Sequence, residues 1–140
     1  MIYLTETDFQ NHLGVNILSQ IKGSSATLVP NAELQAIGIV KDMMSGMYDI
    51  EAELLLTGDD RHSPLVLWLL TIASYQLYRQ IPDDEVPPRI IKDYDDTMET
   101  LRQIGKGKYP TSITPIETED GTSKRVFRMK SNTPRTHDML

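Results

Sequence analysis

Apolar residues recur along this chain at spacings of three and four, and each such run ends near a glycine or a proline. From Thr7 to Ile21, the residues Phe9, Leu13, Ile17 and Ile21 fall four apart on one stripe. That stripe predicts an amphipathic helix, capped by Thr5 or Thr7 and ended at Gly23. Residues 23 to 31, GSSATLVPN, carry loop chemistry. A second helix is predicted from Ala32 to Tyr48, with Asn31 as N-cap and Glu33 in the positive first turn. Its buried face reads Leu34, Ile37, Val40, Met44 and Met47. Gly38 and Gly46 weaken it by about 1 kcal/mol each relative to alanine, unless another helix comes close there.

Residues 49 to 62, DIEAELLLTGDDRH, fit either an extension of that helix or a short strand, with Gly58, Asp59 and Asp60 as loop. Ser63 is predicted to cap a third helix, with Pro64 at its first position. Residues 65 to 78, LVLWLLTIASYQLY, are apolar nearly all round, which places that helix at the centre of the fold. Arg79 ends it and Pro82 blocks its continuation. The fourth helix lies within PPRIIKDYDDTMETLRQIGKGKYP, residues 87 to 110. Asp83, Asp84 and Glu85 precede its positive end, and Pro88 suits its first turn. Ile91, Tyr94, Met98, Leu101 and Ile104 form its apolar seam, and Gly105 and Gly107 suit its end.

After Tyr109 the pattern becomes β-prone. Ile113 and Ile116 precede Glu119-Asp120-Gly121, and Val126, Phe127 and Met129 follow it. Asp-Gly between two such runs predicts a hairpin. An isolated hairpin is marginal in water, so this one needs a surface from its own chain or from a neighbour. Residues 131 to 140, SNTPRTHDML, read as a flexible end. The expected fold is mainly α: a small bundle of about four helices over residues 1–110. A basic C-terminal arm follows over residues 111–140, with a hairpin or an extended course.

A length of 140 residues suits one domain with a modest core. The chain has no cysteine, which excludes a disulfide framework and thiolate metal sites and fits a reducing compartment. Its first residues lack the basic and apolar regions of a signal peptide. The longest apolar run, PLVLWLLTIA at residues 64 to 73, falls far short of a membrane span, so no membrane association is expected. Net charge is −6, unevenly spread. Residues 1 to 121 hold nine Lys/Arg against nineteen Asp/Glu, a net of −10. Residues 122 to 140 hold Lys124, Arg125, Arg128, Lys130 and Arg135 against Asp138, a net of +4. An acidic body argues against gripping nucleic acid, because phosphate binding needs positive surface. The basic tail suits nucleic acid, an acidic protein partner, or plain solvation.

Candidate chemistry is sparse. Asp93, Asp96 and Glu99 lie three apart and spread over one side of the fourth helix, opposite its seam. Paired carboxylates can hold Mg²⁺ for phosphate chemistry, but a metal site needs ligands that converge from more than one element. A solvated charged face is the plainer account. His12, His62 and His137 have no second histidine or cysteine at ligand spacing. His62 follows Asp59 and Asp60, a pairing that a catalytic base can use. Gly105-Lys106-Gly107-Lys108 ends a helix rather than starting one, so it lacks the dipole that cradles phosphate. Phosphate-loop, dinucleotide, nucleophile-elbow and metalloprotease motifs are missing from the sequence. Neither catalysis nor a cofactor is expected. Met43, Met44 and Met47 form a methionine cluster, either core filler or an adaptable binding face.

Three pieces, in this order and spacing, resemble the Mu-like family of small phage head–tail connector, or adaptor (head-completion), proteins. They are YLTETDFQNHLG, IASYQLYRQ, and the stretch from residue 87 in which Pro88-Arg89, Tyr94-Asp95, Leu101, Ile104 and Gly107-Lys108 match the family's closing helix. The resemblance covers about residues 1 to 110. The chain departs from it at DIEAELLLTGDD, where an arginine or tyrosine-rich segment followed by a proline is usual, and in its basic tail. The resemblance implies a helical bundle without enzymatic activity. It implies assembly as a ring, typically a dodecamer, in the virion at the head–tail junction, after synthesis in the bacterial host cytoplasm. Such a ring docks on the portal protein, extends the DNA channel without binding DNA specifically, and offers a platform to a tail-side stopper or tail terminator protein. An acidic body suits a channel through which DNA slides.

The partner-binding residues expected on this reading are Ile113, Ile116, Lys124, Arg125, Val126, Phe127, Arg128, Met129 and Lys130. Backbone pairing would supply affinity and the basic residues charge complementarity. Two other readings compete. One is an all-helical, metal-dependent nucleotide phosphohydrolase using Asp93, Asp96 and Glu99, with Glu51 and Glu53. The other is a small partner-binding module using the methionine cluster.

Overall fold

The computed structural model describes residues 1–23, 25–44, 46–80 and 86–108, and the single positions 111, 113 and 115. The fold is mainly α. Its elements are α1 (Glu6–Leu13), α2 (Val15–Lys22), α3 (Leu28–Met44), a short α4 (Ile50–Glu53), a 3-10 turn (Gly58–Asp60), α5 (Ser63–Arg79) and α6 (Pro88–Gly105). No strand occurs among the described residues. Tyr48 and Pro115 form an isolated antiparallel bridge.

The predicted first helix is two helices. Its cap is Thr5, whose hydroxyl accepts the Asp8 N–H while the Asp8 carboxylate accepts the Thr5 N–H, a reciprocal pair. Gly14 then takes φ 91, a left-handed conformation that breaks the run. The break shifts the helical phase, so Leu18 is buried in α2 and Ile17 is turned outward. Gly23 ends α2 as expected.

The second predicted helix starts and stops early. Asn31 is inside α3 rather than at its cap, and its N–H reaches the Thr27 carbonyl at 3.0 Å. Pro30 therefore sits in the first turn, where its missing N–H leaves no bond unmade. Leu34 is exposed, and the residue turned into the protein is Glu33. α3 ends at Met44, so Tyr48 and Met47 fold back beneath it and are buried outside the helix. The stretch from residue 49 is neither a helix extension nor a strand. Asp49 caps the single turn of α4 through the Ala52 N–H at 3.1 Å, and Leu55 is left 82% exposed.

α5 is the central helix, packed against α1, α3 and α6. Leu65, Leu69, Ile72, Ala73 and Leu77 are buried there among Phe9, Val40, Met44, Leu101 and Ile104. Its cap is His62, not Ser63: the imidazole Nδ1 accepts the Leu65 N–H at 3.2 Å. In α6 the seam begins at Ile90, one position before the expected Ile91, which is exposed. At its end, the N–H of Gly107 reaches the Ile104 carbonyl and that of Lys108 the Gln103 carbonyl, each at 2.9 Å. Gly107, at φ 75, makes this six-residue closure possible. No helix among the described residues is long and apolar enough to cross a membrane.

Candidate functional site

The irregular segments meet in a half-buried polar cluster at the start of α5. Arg61 stands at its centre. Its Nε donates to the Gly58 carbonyl at 3.0 Å, and Nη1 donates to the Tyr3 carbonyl at 3.0 Å and to Asp8 Oδ2 at 2.7 Å. Nη2 reaches Asp8 Oδ1 at 3.3 Å, so the ion pair is forked. The hydrogen bond from Arg61 holds the Asp8 carboxyl below its usual range, and Asp8 in turn raises Arg61. The guanidinium also stands 5.7 Å from the Tyr3 ring centroid.

Beside this pair, the Tyr3 hydroxyl donates to Glu53 Oε2 at 2.8 Å, and the same oxygen accepts the His62 backbone N–H at 3.1 Å. Burial, followed by the Glu53 hydrogen bond, pushes the Tyr3 phenol well above its ordinary value. His62 Nε2 lies 3.5 Å from Thr111 Oγ1. Residues 3, 8, 53, 61, 62 and 111 thus join the N-terminal segment, α1, α4, α5 and the chain beyond α6. This arrangement fastens segments that have little regular structure of their own.

A second feature is a groove of about 290 Å³ between α1, α5 and α6, lined by His12, Leu67, Trp68, Thr71, Asp93, Asp96, Thr97 and Thr100. Burial lowers the pKa of His12, against the nearby Asp93 charge, which raises it.

The acids singled out from the sequence do not converge. Asp96 accepts from Lys92 at 2.6 Å, and Glu99 accepts from Arg102 at 3.1 Å and Gln103 at 2.7 Å, all along one exposed helix face. Glu51 pairs with Lys41 on another surface, and Glu53 is occupied by Tyr3 and His62. Among the described residues, no three His, Cys, Asp or Glu side chains are placed to hold a metal ion. Met44 and Met47 are buried in the core, with Met43 packed against it, so the methionine cluster is filling rather than an exposed face.

Of the expected partner-binding residues, Ile113 is 1% exposed and belongs to the core of its own chain. Thr111 is buried too. Ile116, Lys124, Arg125, Val126, Phe127, Arg128, Met129 and Lys130, and the predicted hairpin with them, lie outside the described residues, as does His137.

Sequence reasoning missed Glu33 and Arg61. Glu33 is fully buried and accepts three backbone N–H groups, from Ile2, Tyr3 and Leu4. One signal was available: Thr5-x-x-Asp8 is a capping box, and a carboxylate fixed in that way offers a free edge to a cation. No protein-family model, curated protein or solved structure matches this chain.

Proposed function

We propose that this chain is a structural protein of the phage head–tail junction. It forms a ring that docks on the portal protein, extends the DNA channel and presents a platform to a tail-side stopper or tail terminator protein. It is made in the host cytoplasm, ends in the virion and performs no catalysis. One observation carries this reading beyond the resemblance itself. Tyr75, from IASYQLYRQ, stacks on Tyr94, from the closing-helix motif, with ring centroids 4.0 Å apart and planes 19° from parallel. The two motifs therefore pack against each other on α5 and α6, which supports reading them together. The acidic body supports a channel role through like-charge repulsion of DNA. The basic residues from Lys124 to Lys130 suit an acidic docking surface on the portal.

Light scattering of the purified protein, with and without purified portal from the same genome, tests this. A ring, or a large complex formed with portal, is the expected result. A monomer indifferent to portal overturns it. Because Thr111 and Ile113 are buried, the informative truncation falls after Pro115. Removing residues 116 to 140 should leave a folded helical body that does not assemble on portal.

A further inference from the structure

His62 occupies three roles at once. Its ring Nδ1 accepts the Leu65 N–H and so caps α5, its backbone N–H is held by Glu53, and its Nε2 faces Thr111 at 3.5 Å. An Nδ1 that accepts fixes the proton of the neutral ring on Nε2, which then donates toward the Thr111 hydroxyl. Both contacts depend on one ring orientation. The ring also lies 6.0 Å from the Trp68 ring on the next turn of α5.

We propose that His62 is an acid-operated switch: neutral, it holds the first turn of α5 and Thr111 together, and protonated, it turns away and gives both up. The reason is chemical. An imidazolium has two N–H donors and no acceptor, so its Nδ1–H would point at the Leu65 N–H. A positive charge at a helix N-terminus is also disfavoured by the helix dipole. A second seat is available, because Glu53 Oε2 lies beside the residue and already accepts the His62 backbone N–H. A charged ring turned toward that carboxylate competes with the Tyr3 hydroxyl for it. The 3.5 Å contact to Thr111 is at the limit of a hydrogen bond and does not survive a rotation of the ring.

Among the described residues, few groups face His62. Glu53 comes from α4 and Tyr3 from the N-terminal segment. The neighbouring Arg61 has its guanidinium engaged by Asp8, Gly58 and Tyr3. The first turn of α5 supplies Ser63, Pro64, Leu65 and Val66, none of which titrates. Burial lowers the His62 pKa, more than Glu53 raises it. A lowered histidine stabilises the fold above its unfolded value and loses that contribution as pH falls through the window below about 6.5. Thr111 lies beyond α6, between Lys108 and the buried Ile113, so the switch acts on how the chain is held at that point.

Hydrogen exchange of the Leu65 and Thr111 amides in the full-length protein tests this, read as protection relative to intrinsic rates between pH 8 and 5. The Leu65 amide should lose about tenfold in protection below pH 6.5, the size set by the loss of a helix cap, and the Thr111 amide should change with the same midpoint. In His62→Asn, whose side-chain oxygen caps but cannot charge, protection should stay constant. His12→Asn, the control for the other half-buried histidine, should keep the wild-type loss. Emission from Trp68, the one tryptophan, should follow the same midpoint. Protection that is constant in the wild type, or that falls equally in His62→Asn, overturns the proposal.

Discussion

Glu33 Oε1 accepts the Tyr3 backbone N–H at 2.7 Å, thirty residues up the chain. The same oxygen accepts the Leu4 N–H at 2.7 Å, and Oε2 accepts the Ile2 N–H at 3.0 Å. One carboxylate therefore satisfies three successive donors of a segment with no secondary structure, ahead of the capped start of α1. Its oxygens are satisfied by converging backbone N–H dipoles. Glu33→Ala leaves these donors unpaired, two of them in the buried interior, at about 1–3 kcal/mol for each. The expected loss is about 3 kcal/mol or more in urea unfolding, with Glu33→Gln intermediate because it keeps one acceptor oxygen. An unchanged urea midpoint for Glu33→Ala would refute this role.

Two glycines inside helices should respond to alanine with opposite signs. A methyl group at Gly38 meets nothing within 4 Å, so Gly38→Ala gains helix propensity and should stabilise by up to about 1 kcal/mol. A methyl group at Gly105 falls 2.5 Å from the Met43 carbonyl oxygen, where α6 crosses the end of α3. Backbone must move there, so Gly105→Ala should destabilise by about 1–3 kcal/mol despite the same propensity gain. Thermal melts of both variants check the pair. Equal shifts would mean that α6 does not approach α3 this closely.

The parts of this fold that were legible are those set by local chemistry. Proline and glycine marked the ends of α5 and α6, and the unbroken apolar run from Leu65 named the central helix. The errors came from residues whose partners are far away in sequence. Phe9, Leu13, Ile17 and Ile21 keep a spacing of four straight through Gly14, so periodicity alone could not reveal a break that exchanges Ile17 for Leu18. Leu34 looked like core and Glu33 like a first-turn acid until Ile2, Tyr3 and Leu4 supplied a reason to bury its carboxylate. The cluster around Arg61 was illegible for the same reason, since its contacts join residues 3, 8 and 58 across separate loops.

Ser74 is fully buried in α5, and among the described residues its hydroxyl has no hydrogen-bond partner. A buried hydroxyl left unmatched carries a desolvation cost and returns nothing. Ser74→Ala removes that cost, adds helix propensity and vacates little volume. It should stabilise by about 1 kcal/mol, read as a higher urea midpoint at an unchanged slope. A loss of stability would mean that the hydroxyl meets a partner, and that α5 packs differently around it.

The Asp8–Arg61 pair should govern the acid limb of stability. Both side chains are mostly shielded, at 17% and 13% exposure, and the fork is charge-assisted. Arg61 holds the Asp8 carboxyl below the usual carboxylate range, with burial opposing the effect and the Thr5 bonds adding to it. A depressed carboxylate contributes fully above its unfolded pKa and loses that contribution as pH falls through the folded one. Stability should therefore drop below about pH 4 by more than the exposed acids alone would cause. Asp8→Asn should flatten this part of the profile while lowering stability at pH 7 by about 2 kcal/mol, the size of a hydrogen bond to a charged group. Arg61→Met should do the same and more, because the Tyr3 and Gly58 carbonyls lose their donor as well. A double-mutant cycle separates the two effects. If the variants add without coupling at pH 7, the pair is not what holds α1 to the loop before α5.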